Sequence, residues 1–140
     1  MPVGLPLAIG LASALLAVGC GGGPPSPESV VRAWSEALNS GDNEAAAELF
    51  APNAEVIQGR SFILETKREA IFFNASLPCS GEIVAVETEG DTVTATFRLG
   101  HRERSRCDAP GAEATAAFRV NEGKIVLWQQ LPSQTPGAAV

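Results

Sequence analysis

The sequence contains few of the side chains that enzymes use for acid–base or nucleophilic chemistry. Its 140 residues include no tyrosine, one histidine and three cysteines. Many catalytic arrangements depend on His, Cys or Tyr as the general base, the nucleophile or the hydrogen-bond donor. The composition therefore leaves few candidate catalytic groups, and it predicts no bound cofactor.

The chain also lacks an excess of basic side chains. Ten Lys and Arg residues stand against sixteen Asp and Glu residues, which gives a formal net charge of −6. Proteins that bind nucleic acids need clustered Lys and Arg to contact the phosphate groups. The charge balance therefore argues against a nucleic-acid partner.

Charge is absent from the N-terminal segment, where no charged side chain precedes Glu28. Residues 1–19 form an apolar stretch that ends in small side chains, as is typical of a secretory signal peptide. Residues 16–20 read LAVGC and resemble the lipobox of bacterial lipoproteins, in which the cysteine is lipidated and becomes the new N-terminus. The resemblance implies an exported protein of the cell envelope, anchored to the membrane through a lipid on Cys20. The alternative of an uncleaved transmembrane anchor is disfavoured by Pro2 and Pro6.

Composition divides the remaining chain into a tether, a domain and a tail. Residues 20–27 follow the signal peptide with three glycines and three prolines, which predicts a short tether for the lipidated cysteine. Residues 28–132 contain every charged side chain and are long enough for one hydrophobic core, so we expect a single folded domain there. Residues 133–140 are small or polar and predict a flexible tail.

The hydrophobic pattern of the domain changes from helical spacing to alternation near Gly81. Three helix starts are indicated before it, at Ser26, Asp42 and Thr66, and a short strand is predicted at residues 54–58. The predicted apolar faces of the three helices comprise Val30, Val31, Trp34, Ala37 and Leu38, then Ala45, Ala46, Leu49 and Phe50, then Ile71, Phe72 and Ala75. Alternation after Gly81 predicts strands at 82–88, 92–106, 113–120 and 124–131. This order predicts an α+β fold with helices on one face of a curved sheet.

Three segments resemble the nuclear transport factor 2-like, or SnoaL-like, superfamily. Residues 30–42 (VVRAWSEALNSGD) are similar to its first helix, residues 47–56 (AELFAPNAEV) to its second helix and first strand, and residues 117–128 to its last hairpin. The resemblance implies a cone-shaped fold, with three N-terminal helices packed on a strongly curved, mostly antiparallel sheet around a pocket. Enzymes and non-enzymes share this fold, so the resemblance alone implies no activity.

The catalytic positions of one enzyme class in this superfamily fall on unreactive side chains here. In ketosteroid isomerase-like members an acid transfers the proton, and a Tyr and a protonated Asp stabilise the oxyanion. An ungapped comparison places these three positions at Gln58, Trp34 and Ala116. The comparison favours a non-catalytic, membrane-anchored domain that binds a small apolar ligand or an envelope partner. An uncharacterised isomerase- or hydrolase-like enzyme and a purely structural or interaction module stay as alternatives, and homodimerisation stays open.

If Cys20 is lipidated, two cysteines remain in the domain, Cys79 and Cys107. An exported domain reaches an oxidising compartment, so we expect a disulfide between them. A zinc site is disfavoured because these two cysteines and His101 are too few ligands. In the hairpin predicted from strands 82–88 and 92–106, the start of the first strand lies opposite residues near His101, not opposite Cys107. The connection at Leu77 and Pro78 would therefore have to bring Cys79 across to Cys107.

The pocket implied by the resemblance should be lined by core aromatic residues and by one face of the long strand. Alternation places His101 and Glu103 on the concave side, where the pair could give the pocket a polar recognition point or a weak acid–base pair. Arg98, Arg102, Arg104 and Arg106 share the opposite face of that strand. The predicted pocket-lining set is Trp34, Phe50, Gln58, Phe72, Phe97, Leu99, His101, Phe118 and Trp128.

Overall fold

A six-stranded sheet forms one layer of the molecule, and three helices pack against it. The computed structural model describes residues 22–132, so the predicted signal peptide, Cys20 and the tail at 133–140 lie outside the described residues. The elements are α1 (Pro27–Asn39), α2 (Asn43–Glu48), β1 (Phe50–Gln58), β2 (Arg60–Leu64), α3 (Lys67–Ser76), β3 (Cys79–Glu89), β4 (Thr92–His101), β5 (Glu113–Asn121) and β6 (Lys124–Gln130). None of the helices in this part of the chain has the length and hydropathy that a membrane crossing requires.

The strand order in the sheet is β2-β1-β6-β5-β4-β3. Every neighbouring pair is antiparallel except β1 and β6, which run parallel. Register shifts occur in β1 between Phe50 and Glu55 and in β3 between Ile83 and Ala85, and such bulges bend a strand. The predicted α+β fold, with a curved and mostly antiparallel sheet, is confirmed.

All three predicted helix starts carry a side-chain cap. The Ser26 Oγ accepts from the backbone N–H of Ser29 at 3.2 Å, and the Asp42 carboxylate accepts from that of Ala45 at 2.9 Å. Thr66 forms both halves of a capping box with Glu69. These caps satisfy backbone donors that have no partner within the helix.

The region after α2 differs from the prediction. The second helix ends at Glu48 and β1 begins at Phe50, although the sequence predicted Phe50 on the helix and a strand only at 54–58. Phe50 pairs with Ile125 of β6, and this long-range pairing overrides the helical spacing. Strand β2 was not predicted; it pairs back onto β1 through Gly59, whose φ of 74° permits the tight reversal.

Helix α3 buries a different face from the predicted one. Phe72 is 75% exposed, whereas Phe73 and Asn74 are 4% and 0% exposed. The Asn74 side chain accepts a hydrogen bond from the Trp34 indole and donates to the Ala70 carbonyl. These two bonds satisfy the buried amide, and the bond to Trp34 holds the Asn74 side of α3 against α1, with Phe72 facing outward.

Strand β4 ends at His101, five residues before the predicted end. The following segment folds back: the Arg102 N–H donates to the Ser105 carbonyl at 3.1 Å, and the N–H of Gly111 donates to the Leu99 carbonyl at 2.8 Å. The four arginines therefore do not share one strand face. Arg98 lies on β4 at 3.9 Å from Glu82, and the other three lie beyond the strand.

The predicted disulfide between Cys79 and Cys107 is present, with a Cα–Cα distance of 4.5 Å. Cys79 pairs with His101 in the β3–β4 register, as the hairpin counting predicted. The backbone N–H of Cys107 donates to the His101 Nδ1 at 3.0 Å. It is therefore the folded-back segment after β4 that brings the two cysteines together, and the predicted crossing at Leu77 and Pro78 was wrong.

The core lies between α1 and the inner face of the sheet. Its centre is an aromatic cluster in which the Trp34 ring centroid is 5.2 Å from that of Phe118 and 6.3 Å from that of Trp128. Most of the ring pairs meet edge to face, for example Phe73 against Trp128, an arrangement that stabilises aromatic cores beyond the area they bury.

Candidate functional site

A cavity of about 170 Å³ opens between α1 and the inner face of the sheet. Its walls come from α1, from the connection that leads into β3, and from β4 and β5. The last residues of β1 and β6, Gln58 and Gln130, are exposed lining residues, and their side-chain amides are joined by a 2.9 Å hydrogen bond. This amide pair therefore marks the rim where the cavity meets solvent.

The walls of this cavity are almost wholly apolar. They include the rings of Trp34, Phe97 and Trp128 and the aliphatic side chains of Leu38 and Leu99. None of the described lining residues is Asp, Glu, Lys, Arg or His, and the one lining cysteine is held in the disulfide. These walls can therefore hold an uncharged molecule, but they present no group that titrates near neutral pH.

Most polar atoms in the lining are already hydrogen-bonded within the protein. The Trp34 Nε1–H donates to the Asn74 Oδ1 at 2.8 Å in a fully buried position. The Ser35 hydroxyl donates to the Gly81 carbonyl at 3.1 Å, and the Thr115 hydroxyl lies 3.2 Å from that of Thr96. These groups are therefore occupied in holding the cavity together.

Trp128 is the exception in the lining. Its side chain is 5% exposed, and within residues 22–132 its Nε1 is the one buried side-chain nitrogen or oxygen without a hydrogen-bond partner. A buried N–H without an acceptor destabilises a protein by about 1–3 kcal/mol. Trp128 thus lines an apolar cavity, while its indole N–H is buried without an acceptor.

Gly81 of β3 lies between the Phe97 ring of β4 and the Asn39 side chain of α1. A Cβ atom on this residue would lie 2.9 Å from the Phe97 Cδ1. The Asn39 side-chain amide exchanges two hydrogen bonds with the Gly81 backbone, at 2.8 and 2.9 Å. The missing side chain therefore leaves room for the Phe97 ring of β4, and the two Asn39 bonds hold this part of β3 against α1. The sequence analysis did not single out Gly81. A glycine within a strand and away from any turn often marks a place where another group packs closely against the backbone.

The connection into β3 is held in place by Arg102. One guanidinium nitrogen donates to the carbonyls of Asn74 and Leu77 at 2.7 and 2.9 Å, and another donates to the Asn43 Oδ1 at 2.6 Å. Partial burial lowers the pKa of the Arg102 guanidinium from its ordinary value. Arg102 thus caps the end of α3 and fixes Leu77, which lines the cavity.

Five of the nine predicted pocket residues line the cavity, namely Trp34, Gln58, Phe97, Leu99 and Trp128. Phe118 is fully buried behind them and packs against both tryptophan rings. Phe50 and Phe72 line two separate surface depressions. Ala116, the third position assigned from the resemblance to isomerases, also lies in the cavity wall.

The predicted recognition pair His101 and Glu103 does not lie in the cavity. His101 is exposed, and its Nδ1 accepts the hydrogen bond from Cys107. Glu103 lies beyond the end of β4, beside a polar surface depression that Arg102 and Arg104 also line. The prediction failed for Glu103 because strand alternation holds only as far as the strand does, and it failed for His101 because this last residue of β4 lies at the exposed end of the strand, outside the cavity.

Groups of three or more potential metal ligands of the His, Cys, Asp and Glu types are absent from residues 22–132.

Comparison with known proteins agrees with this architecture. The family model of the SnoaL-like domain matches residues 31–128. No curated protein matches the sequence.

Solved structures share the fold at low sequence identity. A nuclear transport factor 2-like protein of unknown function from Cytophaga hutchinsonii is 12% identical with a TM-score of 0.62, over 76% of this chain and 88% of that one. A protein of Sinorhizobium meliloti proposed to be a polyketide cyclase is 19% identical with a TM-score of 0.60, over 74% and 94%. One from Kribbella flavida proposed to be a ketosteroid isomerase is 14% identical with a TM-score of 0.60, over 79% and 81%. At these identities the likeness concerns the fold alone.

Proposed function

Since this chain belongs to the SnoaL-like domain family, we propose that its cone binds a small, uncharged, apolar ligand and does not convert it chemically. The observation that carries the proposal is the composition of the cavity wall, which among the described residues contains aromatic, aliphatic and hydrogen-bonded neutral side chains only. Apolar walls with few polar groups are typical of small-molecule binding sites.

The size of the cavity supports a ligand of one or two rings. Its volume is about 170 Å³, and an engineered apolar cavity of about 150 Å³ binds benzene. The rim at Gln58 and Gln130 would allow part of a longer molecule to extend into solvent.

The residues at the three catalytic positions of ketosteroid isomerase-like proteins support binding without chemistry. They lack the groups that carry out the proton transfer in those enzymes. At the base position, Gln58 carries an amide, which does not accept a proton at neutral pH. The Trp34 N–H is bonded to Asn74 and is not free to stabilise an oxyanion. Ala116 has no polar group, so all three positions lack the side chains that perform the isomerase-like proton transfer.

We also propose that the domain is exported and anchored to the membrane through a lipid on Cys20. The lipobox-like residues 16–20 support this location. The disulfide between Cys79 and Cys107 also supports it, because disulfides persist mainly in oxidising compartments.

Ligand binding can be tested by filling the cavity. Toluene, titrated into the full-length protein, should change the fluorescence of the two tryptophans saturably, because both line the cavity. Ala116→Leu should weaken this binding at least about tenfold, since it adds three carbon atoms to the wall. Ala117→Leu is the matched control, because the neighbouring position is not part of the cavity wall.

Three results would overturn the proposed function. One is the lack of saturable binding by the wild type, and another is equal binding by the wild type and Ala116→Leu. The third is saturable isomerisation of an unsaturated ketone by the wild type that Ala116→Leu abolishes, which would show that the cavity is catalytic.

The anchor has its own test. The full-length protein, expressed in a bacterial host, should partition into a detergent phase and carry an acylated Cys20. Cys20→Ser should abolish acylation. A wild-type protein that stays in the aqueous phase without a lipid would contradict the anchor, while leaving the ligand-binding proposal unaffected.

A further inference from the structure

Three large apolar side chains are exposed together where strand β2 meets helix α3. Phe72 of α3 is 75% exposed, and Ile63 and Phe62 of β2 are 46% and 38% exposed. All three line one surface depression, which the cavity of the proposed binding site does not share. We call these three residues the β2–α3 patch. Apolar side chains that are exposed side by side commonly mark a surface that contacts a partner or a membrane.

The predicted tether meets the domain at the turn between β5 and β6. A Cβ atom on Gly123 would lie 3.0 Å from the Pro25 Cδ and 3.9 Å from the Pro24 Cβ, so both prolines lie beside this turn. Cys20 precedes Pro24 by four residues, which span at most about 14 Å when fully extended. A lipid on Cys20 would therefore hold this turn close to the membrane.

Two adjoining depressions connect that turn to the β2–α3 patch. Lys124, which follows Gly123 in the chain, lines the first depression, and the patch lines the second. The two depressions share Leu64 and Thr66 in their walls. The patch therefore lies beside the end of the domain that the anchor would hold at the membrane.

The small size of the β2–α3 patch favours a lipid surface over a second copy of this chain. A Phe side chain buries about 150–250 Å², so three partly exposed side chains offer roughly a few hundred Å². A stable protein interface needs about 800 Å² from each partner. Contact with a membrane needs much less area, because the lipid anchor already keeps the domain at a high local concentration.

The charges beside the patch are balanced. The charged lining residues of its depression are one cation, Arg68, and one anion, Glu69. The Glu69 carboxylate accepts hydrogen bonds from the backbone N–H groups of Glu65 and Thr66. Zwitterionic headgroups also carry both signs of charge, so we expect a contact that depends on the apolar side chains and needs no anionic lipid.

We propose that the β2–α3 patch rests on the membrane surface, with its three apolar side chains at the boundary between headgroups and acyl chains. This inference rests on the proposed lipid anchor and is independent of ligand binding. Aromatic and aliphatic side chains favour that boundary. Strand β2 is the last strand on its side of the sheet, and its outer backbone groups can still bond to water and headgroups there, as they could not in the hydrocarbon core.

Phe72→Trp places a fluorescent reporter in the patch. The full-length lipidated protein is reconstituted into phosphatidylcholine vesicles, with and without lipids that are brominated on the acyl chains near the headgroup. Bromine quenches indole emission only at short range. The two native tryptophans, Trp34 and Trp128, are 3% and 5% exposed, so wild-type emission should change little. The indole introduced by Phe72→Trp should lose most of its emission in the brominated vesicles.

Val84→Trp is the matched control. Val84 is 37% exposed, nearly the same as Phe62, but it lies on β3 at the opposite edge of the sheet. The indole introduced there should keep its emission in the brominated vesicles. If Phe72→Trp does not fold, Ile63→Trp serves as the reporter, and its indole should be quenched in the same way.

The possible results separate the patch from the anchor. An acylated protein in which brominated lipid leaves the Phe72→Trp variant unquenched, or quenches Val84→Trp equally, would overturn the membrane contact and leave the anchor intact. A protein without a lipid on Cys20 would overturn the anchor and the contact together. An indole emission that shifts to shorter wavelength with rising protein concentration, without quenching by brominated lipid, would show that a second copy of the chain covers the patch.

Discussion

Removing the Cys79–Cys107 disulfide should lower the stability of the domain by an amount set by the loop that it closes. The two cysteines are separated by 28 residues. The chain-entropy model predicts that a closed loop of this length stabilises the folded state by about 3.6 kcal/mol at 25 °C. For a domain of about 110 residues, each kcal/mol corresponds to about 4 °C in Tm. The variant Cys79→Ala/Cys107→Ala should therefore melt about 15 °C below the oxidised wild type.

The assay is thermal unfolding of the full-length protein, followed by circular dichroism with and without a reducing agent. Reduced wild type should melt close to the double variant, and the reducing agent should leave the double variant unchanged. The reduced wild type keeps both side chains, so it separates the lost crosslink from the altered packing of the largely buried Cys107. A decrease of less than about 4 °C would refute the entropic reasoning, since it would mean a stabilisation of only about 1 kcal/mol.

Three further perturbations test contacts around the cavity and on the surface. Gly81→Ala should destabilise the protein by about 1–3 kcal/mol, because the new Cβ would clash with Phe97. The measurement is the denaturant midpoint, which should fall. Adding Phe97→Leu to this variant should restore part of the lost stability. Asn74→Leu should cost about 1–3 kcal/mol in the same assay, because it leaves a buried indole N–H without its acceptor, and an unchanged midpoint would contradict this. On the surface, the hydrogen bond and the charge of Lys67 lower the pKa of the Glu48 carboxyl, so Lys67→Gln should raise that pKa towards its ordinary value in a carboxyl NMR titration. The contribution of the pair to stability should be lost at acid pH, as Glu48 becomes protonated, and again at alkaline pH, as Lys67 loses its proton.

The elements that the sequence predicted well are those whose signals are local. Ser26, Asp42 and Thr66 cap their helices with their own side chains, and such caps depend on residues only three positions away. Strands β3 to β6 follow from period-two alternation and from turns at glycines such as Gly90 and Gly123, both of which have positive φ.

The elements that were missed depend on distant partners. Phe50 continues a helical spacing in the sequence, yet it pairs with Ile125, which lies 75 positions further along the chain. The orientation of α3 depends on the Asn74 bond to Trp34, across 40 positions. A periodicity argument compares residues within one segment, so it could not choose between Phe72 and Phe73 as the buried ring.

For the candidate site, too, the residues within one strand were predicted and those beyond it were not. Alternation along β4 correctly placed Phe97 and Leu99 in the cavity wall, because these residues lie within the strand. Glu103 was misplaced because β4 ends in the reversal at residues 102–105, for which the sequence has no glycine or proline signal, and His101 lies at the exposed last position of the strand. The missing partner of the Trp128 Nε1 is visible only once the surrounding atoms are in place.

The hairpin of β3 and β4 also differs from the cavity in how far apart in the chain its contacts lie. The two strands are adjacent in the chain and meet through a tight turn at Gly90, and isolated hairpins form within about 1–10 μs. Their register sets Cys79 opposite His101, so only a short reversal separates the two thiols. The crosslink therefore joins segments that the hairpin and the reversal after it already hold close together. The cavity, in contrast, also needs α1, β5 and β6, so it exists only where segments from both ends of the domain meet.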